Sequence, residues 1–253
     1  AAAFGLFCLW SGVVYLINDI QDREADRHHP IKRLRPIASG ALAVPVAWAA
    51  ALLIGAGSLI AGYALDRDFA LIGATYLALL IAYSQWLKHA AILDVLVLSF
   101  GFVLRAWAGA VVLHVPFSHW LLVLTLLLAL FLAIGKRRGE LAALAGSATS
   151  HRPSLEHYTL PMLDQMLTVV MACTLLAYAF YTISAETVAK FGTDHLLLTL
   201  PLPMYGLFRY LFLIHRGDKH GNPSELLLSD RPLQVCLALW GALVAVIIYG
   251  PLK

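Results

Sequence analysis

The sequence predicts an all-α, polytopic membrane protein, and three observations carry that expectation. Of the 253 residues, 60% are hydrophobic and only 13% are charged, about half the charged share of an ordinary soluble domain. Mean hydropathy is +0.78. The charge is gathered in short islands between apolar runs, and those runs reach the roughly 20 residues that a helix needs to cross a bilayer.

Eight runs meet that length, at about 1–20, 42–65, 69–87, 92–113, 117–135, 161–184, 194–215 and 232–250. The first opens without a methionine, which suggests a natural protein that extends further upstream. The second and third are separated only by Asp66-Arg67-Asp68, a short hairpin, and the fourth and fifth by His114-Val115-Pro116-Phe117-Ser118. The remaining connections are longer and carry the charge. Cys8, Cys173 and Cys236 all sit inside apolar runs, without a CxxC pair, so they read as small hydrophobes packed between helices.

Lysine and arginine counts orient the bundle. Alternate junctions hold 14 of the 18: Arg23, Arg27, Lys32, Arg33 and Arg35 at 21–40; Lys88; Lys136, Arg137, Arg138 and Arg152; and Arg209, Arg216, Lys219 and Arg231. The opposite side has Arg67, Lys190 and Lys253, while Arg105 lies within a run. The charged junctions are therefore expected in the cytoplasm. A net charge of +3 with no basic stripe interleaved with aromatics excludes a nucleic-acid partner. Few charges lie near the middle of any span, which weighs against a transporter.

One island stands out. Asn18-Asp19 is followed by Asp22 and Asp26 where the first span leaves the membrane. If the helix continues, Asp19, Asp22 and Asp26 fall within about 60° of one another along roughly 10 Å of helix. Three carboxylates on one stripe repel unless a cation neutralises them, and hard oxygen ligands favour Mg²⁺, which leaves positions for phosphate oxygens. Asn18 can donate to a phosphate oxygen or complete the metal shell. Glu24 points away and is expected in solvent. The same acids also suit an ordinary wet helix end that pairs with Arg23 and Arg27. The stretch His28-His29-Pro30-Ile31-Lys32-Arg33-Leu34-Arg35-Pro36 then supplies the cations that uncompensated phosphate oxygens need.

This acidic signature, followed by Lys32-Arg33 and Arg35-Pro36, resembles the first motif of the UbiA-type prenyltransferase superfamily. The resemblance implies a bundle of nine transmembrane helices using Mg²⁺ to bind a diphosphate. Eight are visible here, within one transmembrane domain over 1–253 that an upstream first helix would complete.

The second junction departs from that superfamily, whose usual second motif has two acids four residues apart. It reads Tyr83-Ser84-Gln85-Trp86-Leu87-Lys88-His89-Ala90-Ala91-Ile92-Leu93-Asp94, with Leu98 where the second acid would stand. Arg105 lies three turns beyond Asp94 on nearly the same face, with Gly101 leaving room beside it. Arg105 can line a substrate cavity or pair with Asp94. Tyr83 and Lys88 suit phosphate contacts.

This region, with Gly135-Lys136-Arg137-Arg138-x-Glu140-Leu141, His151-Arg152-Pro153-x-Leu155-x-x-Tyr158, Arg209-Tyr210 and Gly221-x-Pro223-x-Glu225-x-x-x-x-Asp230-Arg231, resembles one branch, the decaprenyl-phosphate phosphoribosyltransferases. The branch implies 5-phosphoribosyl-1-diphosphate as donor and a polyprenyl phosphate lipid as acceptor, in arabinan-precursor synthesis at a bacterial plasma membrane. It also implies that Asp19, Asp22 and Asp26 hold Mg²⁺ on the donor, that Lys32, Arg33, Tyr83 and Lys88 bind its phosphates, and that Lys136, Arg137, Arg152 and Tyr158 bind the lipid or 5-phosphate end. The alternative is prenyl transfer from a prenyl diphosphate to an aromatic or other acceptor, which an intact second acidic motif would have favoured. Homo-oligomerisation is left open.

Overall fold

The computed structural model describes residues 1–28, 31–144, 153–216 and 223–250. Every regular element among them is helical: α1 Ala2–Gln21, α2 Arg23–His28, α3 Val44–Leu65, α4 Arg67–Gln85, α5 Leu93–Val112, α6 His119–Leu144, α7 Leu160–Ile183, α8 Ala185–Phe191, α9 Pro201–His215, α10 Pro223–Ser229 and α11 Arg231–Tyr249. Eight segments are long and apolar enough to span a membrane: α1, α3, α4, α5, α6, α7, the stretch His195–His215 and α11. Large apolar side chains such as Phe4, Leu52, Leu53 and Leu228 stay exposed. On a soluble protein that would be an unsatisfied patch, whereas lipid is their natural solvent. The chain is a multi-pass membrane protein with the expected spans.

One boundary moves. The fifth apolar run ends near 135, but α6 continues to Leu144 and carries Lys136, Arg137, Arg138 and Glu140 as helix. Hydropathy marks where lipid stops, not where the backbone ladder stops. The cysteines also depart from expectation: Cys236 is buried and donates to the Leu202 carbonyl at 3.1 Å, but Cys8 and Cys173 are exposed.

The chain forms two compact units. The first comprises residues 1–117 and 148–157, the second 118–147 and 158–253. In the first unit α1 packs on α3 and α4, and α4 on α5. Trp10 is fully buried at the centre of this packing, its ring 4.8 Å from that of Phe69 and 5.2 Å from that of Phe7. It lies flat on glycine backbone: a Cβ at Gly73 would meet three of its ring carbons at 2.3–2.5 Å, and one at Gly62 would meet one of the same carbons at 3.1 Å. This seat fixes the depth of α1 in the unit, and with it the acids at the helix's end. Asp66 caps α4, its Oδ1 accepting from the Phe69 amide at 2.8 Å, which closes the tight hairpin the sequence predicts.

In the second unit α6 packs on α7 and α11 on α9. Tyr210 rests against Gly135, where a Cβ would come within 2.8 Å of its ring and hydroxyl. The Tyr178 hydroxyl joins Thr199 at 2.5 Å and accepts from the Trp240 indole at 2.9 Å, linking three segments through buried polar groups. At one end Arg138 donates to Asp164 at 2.6 Å and to the Ile214 carbonyl at 3.0 Å, with His215 3.2 Å from the same carboxylate. These bonds tie the ends of α6, α7 and α9 together.

Candidate functional site

The acid stripe lies in the first unit, where α1 gives way to α2. The backbone ladder runs almost unbroken across the junction: the Asp22 amide donates to Asn18 O at 2.9 Å and the Asp26 amide to Asp22 O at 2.8 Å. Asp22 departs from helical geometry, with φ −85° and ψ 3°, so the chain bends at the middle acid. Even so, Asp19 and Asp26 keep a common face. A single nitrogen shows this: Arg35 Nη1 donates to Asp19 Oδ1 at 2.9 Å and to Asp26 Oδ2 at 2.8 Å. Asp26 is buried, its side chain only 5% exposed.

Asp22 has its own partners. Lys88 Nζ reaches Asp22 Oδ1 at 2.5 Å, and the Asn18 amide donates to Oδ2 at 3.0 Å. Ser84 of α4 donates to Asn18 Oδ1 at 3.4 Å. Lys88 lies in a tight turn, Leu87–His89, between α4 and α5, and is itself buried. The backbone there is strained: Ile92, which caps α5, has φ +70°, a region where a β-branched side chain is an outlier. Tyr83 and Asp94 are buried on either side of this turn. Two sequence islands 66 residues apart thus converge on one carboxylate.

Arg23 and Arg27 turn instead to Glu24, at 3.7 and 3.1 Å, and Glu24 is in solvent as expected. The acids therefore do not form a wet helix end neutralised by its own turn; their counterions come from elsewhere in the fold. Among the described residues no three His, Cys, Asp or Glu side chains form a ready metal cage, because the stripe is spread over two helical turns and met by Arg35 and Lys88. The donor set is nevertheless all oxygen, three carboxylates and the Asn18 amide, which fits a hard cation such as Mg²⁺ and does not fit a soft one.

Lys32 and Arg33 are exposed beside the stripe, in a single helical turn that leads to Arg35. Eleven residues along its helix from Asp94, Arg105 bonds to Tyr76 on the neighbouring helix α4, its guanidinium donating to the hydroxyl at 2.9 Å. It also lies over the rings of Phe7, Tyr76 and Phe102 at 5.2–5.7 Å. The room expected beside Gly101 is filled by Leu80 and Tyr76, whose atoms stand 3.6–3.8 Å from where a Cβ would be.

Lys136, Arg137 and Tyr158 lie in the second unit. Lys136 is exposed, Arg137 is buried and bonded to Glu140, and Tyr158 is buried. Arg152 falls outside the described residues. Sequence reasoning missed Arg35 as a site residue, although it quoted it. Its signal was the Arg35-Pro36 pair, but no helical period reaches it from Asp19 because the chain leaves the helix in between. Arg138 and Asp164 were missed for a similar reason, since their pairing is between helices.

With this geometry in hand, comparison with known proteins is informative. Residues 1–229 match the UbiA prenyltransferase family. The protein named decaprenyl-phosphate phosphoribosyltransferase in Mycolicibacterium smegmatis is 35% identical over 98% of this chain and 80% of its own length. Its namesake in Corynebacterium glutamicum is 33% identical over 98% of this chain and 75% of its own length. A UbiA homologue from Archaeoglobus fulgidus, solved bound to DMAPP and Mg²⁺, superposes with a TM-score of 0.75 at 20% identity, covering 95% of this chain and 84% of that one. At that identity the superposition speaks for the fold. The family match, the near full-length relatives and the shared fold agree: this chain belongs to the UbiA prenyltransferase family.

Proposed function

We propose that this chain transfers 5-phosphoribose from 5-phosphoribosyl-1-diphosphate to a polyprenyl phosphate such as decaprenyl phosphate, in Mg²⁺-dependent fashion, at the cytoplasmic face of a bacterial plasma membrane. The observation that carries it is the convergence of Asp19, Asp22 and Asp26 with Arg35 and Lys88 at one end of the first unit. The relatives' names support the choice of donor and acceptor; a role in arabinan precursors rests on the sequence resemblance alone.

Asp19, Asp22 and Asp26 would hold Mg²⁺, with Asn18 completing the shell. When bound, the metal offsets charge on the leaving diphosphate. The chain's own cations do the rest. Lys88, Lys32 and Arg33 stand where they can take diphosphate oxygens as the bond from the sugar C1 to the diphosphate breaks. An oxygen of the lipid phosphate forms the new bond to C1, and the diphosphate departs. No general base is needed, because a phosphate monoester is already ionised near neutral pH. Lys88 stands at the junction where the wider superfamily has its second acidic motif, so this junction would offer the donor's diphosphate a cation and no second metal site. Tyr83 and Asp94 frame that lysine. Lys136, Arg137, Arg152 and Tyr158 remain our candidates for the 5-phosphate or lipid end, and Arg105, stacked on aromatic rings, for the wall that the sugar or lipid passes.

Asp22→Asn should lower transfer of labelled phosphoribose to polyprenyl phosphate in detergent by more than about 100-fold, since even outer-shell partners of a metal are worth 10–100-fold. EDTA should do the same to the unmodified protein. Full activity in either case defeats the metal role. Product from a prenyl diphosphate donor, with none from the phosphoribosyl donor, would overturn the choice of substrate.

A further inference from the structure

We infer that Arg35 is a built-in counterion of the metal site: it occupies the carboxylates while no diphosphate is bound, and moves to the donor's phosphate when the metal arrives. The inference rests on the proposed reading of the acid stripe as the metal site, and concerns its regulation.

Three features lead to it. First, one guanidinium nitrogen is shared between Asp19 and Asp26, at 2.9 and 2.8 Å. While that nitrogen stays, one oxygen of each carboxylate is taken and a positive charge lies between them, which opposes a second cation there. Second, Arg35 has room to move. It follows the turn Lys32–Leu34, its own backbone is extended at φ −60° and ψ 142°, and its side chain is 37% exposed, whereas Lys88 is 11% exposed. Third, the loop behind it is anchored independently: Arg27 Nε donates to the Ala38 carbonyl at 3.2 Å, the Ser39 amide to Arg35 O at 2.9 Å, and the Leu42 amide to Pro36 O at 2.9 Å. The side chain can swing while its backbone remains in place.

Charge decides when it swings. Three carboxylates face two cations, Arg35 and Lys88, with Lys32 and Arg33 exposed nearby. A bare divalent ion would turn this partly buried group from one net negative charge to one net positive charge, with Lys32 and Arg33 adding to the repulsion and Arg35 left without its carboxylates. A divalent ion arriving with a diphosphate brings enough negative charge for Arg35 to transfer onto a phosphate oxygen. Metal and diphosphate should therefore bind together, and bare metal poorly.

The test reads metal binding, not turnover. Mn²⁺ is titrated into the full-length protein in detergent, alone and with inorganic diphosphate, with free Mn²⁺ followed by electron paramagnetic resonance. In the unmodified protein inorganic diphosphate should tighten Mn²⁺ binding at least tenfold beyond its own chelation of the ion. Arg35→Gln should tighten bare Mn²⁺ binding about tenfold, because a positive charge close to the metal position is removed, and should shrink the effect of diphosphate. Arg35→Lys, which keeps the charge on a shorter side chain without the planar fork, should tighten bare binding by only about two- to threefold; it carries the test if the glutamine variant does not fold. Bare Mn²⁺ binding that is unchanged or weaker in the variant that folds would overturn the inference. Neither arm involves ribose or lipid, so a failed phosphoribosyl assay with the expected Mn²⁺ result would remove the proposed donor and leave the counterion role standing.

Discussion

A single carboxylate in the second unit shows how strongly one residue can be tuned by its partners. Asp230 caps α11, accepting from the Leu233 amide at 2.9 Å, and takes a two-pronged contact from Arg209 at 2.7 and 3.2 Å. The hydrogen bond from Arg209, aided by the Leu233 amide, holds its carboxyl below the usual carboxylate range. A depressed folded pKa means the pair stabilises the fold at any pH above the unfolded value near 3.9. That stability is lost as pH falls through the lower, folded value. Asp230→Asn keeps a capping oxygen but removes the charge and one of the two acceptor oxygens that Arg209 uses. It should cost about 1.5–3 kcal/mol at pH 7, the range for hydrogen bonds to charged groups, and progressively less below about pH 4. Thermal melts of both proteins in detergent at pH 7 and near pH 3.5 give the comparison; a gap of equal size at both would refute the pair's contribution. Residues such as Asp230 were legible in the sequence as recurring motif letters, but their partners were not, because the pairing joins α9 to the start of α11 through space. The same blindness hid Arg35, while Asp19, Asp22 and Asp26 were legible because one helical period relates them.

At the scale of elements, the spans are set by composition and their mutual seating by a few glycines. α3 is apolar on every side and has no preferred face of its own. What selects its face is Trp10, which needs backbone without side chains to lie against, and Gly62 and Gly73 provide it. Gly73→Ala would gain about 1 kcal/mol of helix propensity but would force a methyl group into a ring that is itself fully buried. Overpacking of this kind costs about 1–3 kcal/mol, and Trp10, walled by Phe7 and Phe69, has nowhere to turn. Net destabilisation is expected, with Gly57→Ala as the contrast, since nothing lies within 4 Å of its would-be Cβ. Melting temperatures should fall for the first and hold or rise for the second. If both rise, Trp10 does not set the depth of α1. Hydropathy located each helix to within a few residues but could not name the face that Trp10 selects, nor see that α6 runs on past the lipid to Leu144. Such facts depend on what stands opposite, and a lone sequence is silent on that.

For the whole molecule the feature that predicts orientation is the alternation of charge between successive junctions of the sequence. The junctions that carry 14 of the 18 lysines and arginines include the acid stripe and Lys88, whereas the opposite connections hold Arg67, Lys190 and Lys253. Positive loops stay in the cytoplasm because moving them outward is opposed during insertion. On the proposed function, a water-soluble, multiply charged donor would then be met on the side where it is made, and the lipid phosphate would reach the same plane from within the membrane. The orientation predicts accessibility residue by residue. In a background with Cys8, Cys173 and Cys236 replaced, Asp68→Cys sits on the exposed α3–α4 hairpin and Ser39→Cys on the exposed loop after Arg35. A membrane-impermeant maleimide applied to intact spheroplasts should label position 68 and leave position 39 unlabelled until the membrane is breached. Inverted vesicles should give the reverse. Labelling of position 39 in intact spheroplasts would place the acid stripe outside, where no diphosphate sugar donor is supplied, and the proposed reaction would fall with the orientation.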